Sequence, residues 1–356
     1  MFMIVLLHSG THGRALTISD GLNFYSIWFH FVEALSISSV DVFVLISGYF
    51  LCTQSFRPSR LVNVYLAVLF YSLVWLFVLT IVFHDPFSIK NLIKALLPVS
   101  FNLYWFISSY IVMYLLSPIL NVLVRSMKRE QHLMTIVLLA LLFSVWPSII
   151  IGSTPTGISN VGDTAVWFVV LYLIAAYLRN YPIKKSRKYG LYYMVCAIAV
   201  LIAWILMVKA LSVQSFVDEW RCGVWFYYYR YNSLPVLLSA VFLFLAFQQI
   251  RIDNGFVKKM ILFVAPLTMG VYLIHDNQSA RQIVWQRIQG LQATPKVVII
   301  VLVYALMVFI TCLMIEKIRT LVFSVLINKR RWYKSLMERL DAVPDYLKSY
   351  IVTKTQ

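Results

Sequence analysis

The chain has 356 residues, of which 61% are hydrophobic and only 13% are charged, and its mean hydropathy is +0.80. This composition is typical of a polytopic membrane protein and excludes a soluble enzyme. The formal net charge of +17 comes from 31 Lys and Arg residues in short clusters between apolar runs. That distribution orients membrane helices. We therefore expect contact with membrane lipids and no nucleic-acid partner.

Two common sequence signals are missing. The four cysteines are widely scattered and show no CxxC spacing, so neither a zinc site nor a disulfide framework is indicated, and we expect no metal. The N-terminal stretch has no positively charged region before its apolar residues and no small-residue cleavage site after them, so it is not a cleavable signal. We assign it to the membrane domain.

The chain begins with MFMIVLLHSG, an apolar run that ends at His8 and is followed by Ser9 and Gly10. A helix that spans a bilayer needs about 20 apolar residues. We therefore expect this stretch to be the end of a first membrane helix whose beginning lies upstream of Met1. His8 would stand where that helix ends.

Further apolar runs of about the spanning length follow along the chain. With the N-terminal stretch they predict an all-α polytopic membrane protein with about ten transmembrane helices. The transmembrane domain covers residues 1–327, and residues 328–356 form a basic tail. The later runs are residues 25–51, 61–83, 101–124, 132–151, 164–181, 189–210, 232–250, 260–280 and 296–327.

Basic residues gather in or beside every second connection between these runs and again from Lys317 to Lys354, so that one side holds 22 of the 31 Lys and Arg residues. The positive-inside rule predicts that this side is cytoplasmic. Both termini then face the cytoplasm once the first helix is complete, and His8 lies toward the outside. The outer connections are residues 9–24, 84–100, 152–163, 209–231 and 281–295.

Two of the flanking segments allow alternative interpretations. The outer segment DEWRCGVWFYYYRYN, residues 218–232, is either an interfacial aromatic belt, the more common case, or a surface that stacks on sugars. The tail mixes Trp332, Tyr333 and several leucines with basic residues, which predicts an amphipathic segment on the anionic inner leaflet. An untethered tail is the alternative.

Few ionisable side chains fall within the apolar runs, where they usually face a bundle interior or a water-filled cavity. The second run holds His30, Glu33 and Asp41, and the helical spacing places the two carboxylates on nearly the same face. The ninth run holds His275 and Asp276 near its outer end. A buried Asp41 is either part of a site or the partner of a basic side chain that joins two helices.

The predicted orientation places His8, Glu33 and His275 in the outer half of the membrane, with Asp41 deeper. Such a set can perform acid–base chemistry, because an imidazole can take a proton from a hydroxyl while a carboxylate orients it and stabilises the imidazolium. The alternative is that interfacial His and Asp side chains are simply hydrated at helix ends. On spacing alone, this alternative is favoured for His275.

The end of the second run carries features suited to a phosphorylated ligand. Ser47, Gly48 and Tyr49 lie near its cytoplasmic end, and Gly48 allows another backbone to approach closely. Arg57 and Arg60 follow, and guanidinium groups suit bidentate contact with phosphate. Ordinary positive-inside charge also explains both arginines.

Taken together, these residues resemble the integral-membrane acyltransferase-3 family, which includes O-acetyltransferases of bacterial surface polysaccharides. The resemblance spans essentially the whole chain, and the order and spacing of its motifs make it specific. It rests on IVLLHSG around His8, VDVFVLISGYF (40–50) with the two arginines after it, LYWFISSYIVMYLLSPILN (103–121), WFVVLYLIAAYLR (167–179) and MGVYLIHDN (269–277).

The resemblance implies a ten-helix domain that carries an acyl group, usually acetyl from acetyl-CoA, to a sugar hydroxyl across or at the far face of the membrane. It implies that His8 is the catalytic histidine and that the segment Ser47–Tyr49, with Arg57 and Arg60, belongs to the site of the acyl donor. It also implies an arginine earlier in the first helix, at a position that precedes Met1.

The leading hypothesis is thus an O-acyltransferase, most simply an O-acetyltransferase, of the bacterial plasma membrane that modifies a cell-surface or lipid-linked glycan. His8 would act as a general base or briefly carry the acyl group. Glu33, Asp41 or His275 would orient His8 or line the acceptor path, and Arg57 and Arg60 would attract the CoA phosphates.

A transporter or flippase of a lipid-linked sugar is the main alternative, because ten helices with sparse intramembrane charges also suit that class. The sequence shows no symmetry between its halves to support it. A membrane glycosyltransferase or polymerase would need large outer loops with acidic ligands, whereas the outer connections here are short and contain no DxD motif.

Overall fold

A computed structural model describes residues 1–13, 24–149, 162–213, 230–289, 291 and 295–354. Within these ranges the chain consists of helices and connecting segments, with no β-strand. The predicted all-α polytopic fold is therefore confirmed. The outer segments 150–161 and 214–229, which include most of the aromatic stretch, lie outside the described residues.

The helices follow one another in the order expected from the apolar runs. Several are interrupted or extended by short π or 3₁₀ turns, at 141–145, 265–267 and 324–328. They are α1 Phe2–Thr11, α2 Phe24–Leu51, α3 Pro58–Val82, α4 Ile89–Leu96, α5 Trp105–Ser126, α6 Arg129–Ala140, α7 Trp146–Ile149, α8 Ala165–Asn180, α9 Arg187–Val213, α10 Leu234–Gln249, α11 Gly255–Val264, α12 Thr268–His275, α13 Arg281–Trp285, α14 Pro295–Phe323 and α15 Arg331–Lys354.

Each of the ten predicted apolar runs corresponds to an apolar helix or helical run in the described part of the chain. Seven of these are long and apolar enough to cross a membrane, whereas α1, α8 and α10 are shorter. The seven spans are Trp28–Leu51, Pro58–Val82, Trp105–Ser126, Arg129–Ser148, Arg187–Met207, Gly255–His275 and Lys296–Asn328.

Helix α2 occupies the centre of the bundle, where α1, α8, α9 and α10 pack against it. One buried apolar cluster joins α2 to α5, α8 and α10 around Leu45, Met113 and Phe168. A second cluster joins α1, α3, α12 and α14 around Val5 and Val271. Helix α1 contacts both α2 and α14, so its side chains lie at the seam between the two clusters.

The close approach predicted at Gly48 is present. A Cβ atom on Gly48 would lie 3.1 Å from both Ala175 Cβ and Tyr172 Cα of α8. A larger residue would therefore push α8 away from α2. The absence of a side chain at this position sets the spacing between the central helix and its neighbour.

The tail is docked at its start, so the untethered alternative is wrong for this part. Asp341 of α15 accepts hydrogen bonds from the backbone N–H of Ser59 at 2.9 Å and from its hydroxyl at 2.8 Å. Tyr333 donates a hydrogen bond to Asn63 of the same helix, α3. The carboxylate thereby caps the positive N-terminal end of α3.

A buried polar cluster ties α14 to α3 and α12. Glu316 accepts hydrogen bonds from the Tyr71 hydroxyl at 2.6 Å and from two guanidinium nitrogens of Arg319 at 2.8 and 2.7 Å. Its carboxylate lies directly against Gly270 of α12, where a Cβ atom would collide with it. Gly270 therefore makes room for a buried charged group.

Replacing Gly270 with alanine is expected to destabilise the protein by about 1–3 kcal/mol, because the added methyl group overpacks the site beside a paired carboxylate that has little freedom to move. A lowered apparent melting temperature of the purified protein in lipid nanodiscs would show this. Gly255→Ala is the matched control, because a Cβ atom there meets nothing within 4 Å. Equal melting temperatures for the two variants would contradict the packing argument.

Candidate active site

Two histidines from distant parts of the chain meet inside the bundle. His8 lies near the end of α1 and His275 is the last residue of α12, and both are buried. Nδ1 of His8 lies 2.8 Å from Nε2 of His275. Nδ1 of His275 lies 2.6 Å from the carbonyl oxygen of Val271, one turn earlier in the same helix.

These contacts determine which ring nitrogens carry hydrogen in the neutral pair. A carbonyl oxygen only accepts hydrogen bonds, so Nδ1 of His275 is the N–H that donates to Val271. Nε2 of His275 is then a lone pair, which accepts from Nδ1–H of His8. Nε2 of His8 is left with the free lone pair, so His275 fixes His8 as a base.

A buried carboxylate stands beside this lone pair. One oxygen of Asp276 lies 3.7 Å from Nε2 of His8, and the other lies 3.1 Å from Nε2 of His12. Burial acts to raise the pKa of Asp276, but the neighbouring imidazoles of His8, His12 and His275 outweigh it and lower the pKa to about 2. The Asp276 carboxylate would therefore stabilise an imidazolium at His8.

Side chains from two other helices hold the end of α12 in place. The Tyr104 hydroxyl donates to the carbonyl of Leu273 at 3.0 Å, and Trp75 Nε1 donates to the carbonyl of Ile274 at 3.0 Å. Asn277 in turn donates to the Tyr104 hydroxyl at 2.7 Å. The last carbonyls of a helix lack partners within it, so these bonds satisfy them and fix the position of His275 and Asp276.

His8 also faces a cavity of about 230 Å³, far larger than the roughly 10–15 Å³ that one water molecule requires. His8 and Ser47 both line this cavity, which therefore extends from the end of α1 to the last turns of α2. Its lining is mainly apolar and aromatic. The aromatic members are Trp105, Phe106, Tyr110, Tyr231 and Tyr272.

Comparison with known proteins identifies the chain. A family model described as an acyltransferase domain matches residues 1–316. The chain belongs to the acyltransferase-3 family. No curated protein and no solved structure matches the chain significantly. The matched region contains the whole His8, His275 and Asp276 group and the cavity beside it.

This acyltransferase thus has a pair of buried, contacting histidines at one end of a cavity, with a buried Asp276 carboxyl group beside them. His275, predicted as a candidate, is in direct contact with His8. The alternative interpretation of His275 as a hydrated helix end is wrong, because its side chain is fully buried and hydrogen-bonded at both nitrogens. The same holds for Asp276, which is 3% exposed.

The two carboxylates predicted on α2 hold other positions. Glu33 lines a separate cavity of about 20 Å³ together with Ser9 and Gly10. Asp41 accepts a hydrogen bond from Trp167 Nε1 of α8 at 3.2 Å, so it joins two helices through an indole and not through a basic side chain. Neither is among the described contacts of His8. The carboxylate that the acyltransferase sets beside His8 is Asp276.

The predicted donor segment meets the cavity at one residue. Ser47 lines it, Gly48 packs against α8, and the ring of Tyr49 lies 4.7 Å from the guanidinium carbon of Arg179. The backbone of Arg57 is held by the Tyr114 hydroxyl, and the Arg60 guanidinium donates to Gln54.

His12 was not among the candidates from the sequence. Asp276 was noted in the ninth run, but a role beside His8 was not predicted for it. The signals were present: His12 is one helical turn after His8, directly after the end of α1, and Asp276 follows His275 directly. Of the aromatic outer segment, the structure describes Tyr231, whose ring centroid lies 4.8 Å from that of Trp105.

Proposed function

We propose that this acyltransferase transfers an acetyl group from acetyl-CoA to a hydroxyl of a cell-surface or lipid-linked glycan in the bacterial plasma membrane. The observation that carries the proposal is the environment of His8. Its Nδ1 is held by His275, its Nε2 lies 3.7 Å from Asp276, and the residue lines the cavity that reaches Ser47.

The reaction follows from this geometry. The acceptor hydroxyl gives its proton to Nε2 of His8 as its oxygen attacks the thioester carbonyl. The carbon–sulfur bond then breaks, and the leaving thiolate takes the proton back from His8 to give free CoA and the sugar ester. Asp276 stabilises the imidazolium that exists between the two proton transfers. The same lone pair would serve as a nucleophile if His8 carried the acyl group for part of the route.

The cavity suits the donor. Its aromatic and aliphatic lining would accommodate the acyl group and the pantetheine arm, and Ser47 in that lining precedes Arg57 and Arg60 in the chain. We propose that these arginines bind the CoA phosphates from the cytoplasm. The acceptor would reach His8 from the opposite side, where the rings of Trp105 and Tyr231 offer faces on which a sugar can stack.

Replacing both Arg57 and Arg60 with glutamine is expected to raise KM for acetyl-CoA by about tenfold or more, because charge-assisted hydrogen bonds each contribute about 1.5–3 kcal/mol. The KM for S-acetylpantetheine, which lacks the nucleotide phosphates, should not change. The measurement is the rate of thiol release at varied donor concentration.

Arg251→Gln is the control, since this residue lies on the predicted cytoplasmic side but outside the donor segment. An unchanged KM for acetyl-CoA in the double variant, or an equal rise for both donors, would contradict the phosphate assignment.

The glycan itself provides the test of the function. Surface and lipid-linked glycans from cells with and without the gene are compared by mass spectrometry. We expect an acetyl-sized mass difference that disappears after mild alkaline hydrolysis of esters. Glycans of equal mass from both strains would overturn the proposal, and a changed amount of glycan at unchanged mass would instead favour the transporter.

A further inference from the structure

The side chains around Asp276 have the geometry of a metal site. His8, His12 and Asp276 each offer one ligand atom, and these three atoms all lie within 4.8 Å of one another. Nε2 of His12 lies 3.1 Å from one carboxylate oxygen of Asp276, and Nε2 of His8 lies 3.7 Å from the other. Zinc binds imidazole nitrogens and carboxylate oxygens at about 2.0–2.2 Å, which places neighbouring ligands of a tetrahedral ion about 3.4 Å apart.

The surroundings also suit a cation. Two histidines one turn apart on a helix present their nitrogens to the same ion. Nε2 of His8 carries a lone pair and lies 3.7 Å from a carboxylate oxygen of Asp276, so a positive ion between these two atoms would bind both. The N–H of His8 on the far side of the ring donates to His275, as metal-bound histidines usually donate to a second group.

We propose that a zinc ion binds His8, His12 and Asp276 and reversibly inhibits the enzyme. Two imidazoles and one carboxylate favour zinc over magnesium or calcium, which prefer oxygen ligands. The ion would occupy the lone pair that the acceptor proton needs, so transfer stops until the ion leaves. The site contains no cysteine, so a search for CxxC motifs could not have found it. The inhibitory effect rests on the proposed function, whereas the binding site does not.

Zinc binding to the purified full chain in nanodiscs tests the site directly. We expect one tightly bound zinc ion per wild-type chain after equilibration with zinc chloride and removal of loose metal. His12→Gln keeps a donor for Asp276 but removes a ligand nitrogen, so its zinc affinity should fall by at least about tenfold. His84→Asn is the control, because His84 is exposed and its positive φ is tolerated by asparagine.

Equal zinc affinity in wild type and His12→Gln would overturn the site, as would an equal loss in His84→Asn. The inhibitory effect is tested separately by acyl transfer at increasing zinc concentration. We expect loss of the wild-type rate, full recovery with EDTA, and a need for at least about tenfold more zinc in His12→Gln, each variant being compared with its own zinc-free rate.

Bound zinc that leaves transfer unaffected would overturn the inhibitory effect, and so would loss of transfer after EDTA treatment. If the protein shows no transfer at all, the proposed function fails while the binding measurement still decides the metal site.

Discussion

Replacing His8 with glutamine is expected to lower acyl transfer by about 10²- to 10⁴-fold, the usual contribution of a positioned acid–base group. Glutamine is close to histidine in size, and its amide can still donate to Nε2 of His275. It has no basic lone pair, so it cannot take the proton of the acceptor hydroxyl. The rate of transfer per folded protein, measured with acetyl-CoA and isolated glycan, gives the comparison.

His132→Gln is the matched control, because His132 is also buried and hydrogen-bonded, to the carbonyl of Leu173, but lies on α6 outside the site. A loss limited to His8→Gln would separate the chemistry from the loss of any buried histidine. If His8→Gln transfers acetyl as fast as wild type, His8 has no part in the mechanism.

Replacing Asp276 with asparagine should produce the second-largest loss, about 10²- to 10³-fold. Asparagine keeps the shape and can still accept a hydrogen bond from His12, but it removes the negative charge 3.7 Å from Nε2 of His8. Two unit charges about 4 Å apart attract each other by about 4 kcal/mol at an effective dielectric constant of 20. That attraction exists only when His8 is protonated, so its loss acts on the rate rather than on donor binding.

Glu33→Gln and Asp41→Asn are the informative comparisons, because both remove a buried carboxylate on α2 that has no described contact with His8. We expect smaller losses of kcat in these two variants than in Asp276→Asn. A loss from Glu33→Gln as large as that from Asp276→Asn would contradict the assignment of Asp276 as the anion that stabilises His8.

The apolar helices and two of the site residues were predictable from the sequence. Hydropathy at the spanning length marks each run, because a chain in lipid must bury its backbone polar groups in helices. His8 and His275 stand out because an imidazole within an apolar run is unusual. The close packing at Gly48 followed from the lack of a side chain there.

The arrangement of the site was not predictable in the same way. Composition and helical spacing give the depth of a residue in the membrane and its face on its own helix, but not the neighbouring helix. Glu33 and Asp41 share a face of α2, but their surroundings differ. Trp167 of α8 donates a hydrogen bond to Asp41, whereas Glu33 lines a separate small cavity. Asp276 looked like a hydrated helix end, and only the packing of α1 against α12 buries it beside His8 and His12.

The cluster of Glu316, Arg319 and Tyr71 shows the same limit. In the sequence, Glu316 and Arg319 look like ordinary charges at the cytoplasmic end of an apolar run. In the fold, Gly270 leaves the space that lets α12 lie against the buried carboxylate, and α12 carries His275. The sequence shows that Gly270 and Glu316 are present, but it does not show that they are in contact.

The most direct test of the central claim is transfer of labelled acetyl from acetyl-CoA to glycan by the purified protein in proteoliposomes. We predict that wild type moves the label to the glycan, in a linkage that mild alkali releases, and that His8→Gln leaves the label on CoA. Label that stays on CoA with wild type, or that reaches the glycan equally with both proteins, would contradict an acyl-transfer site built on His8.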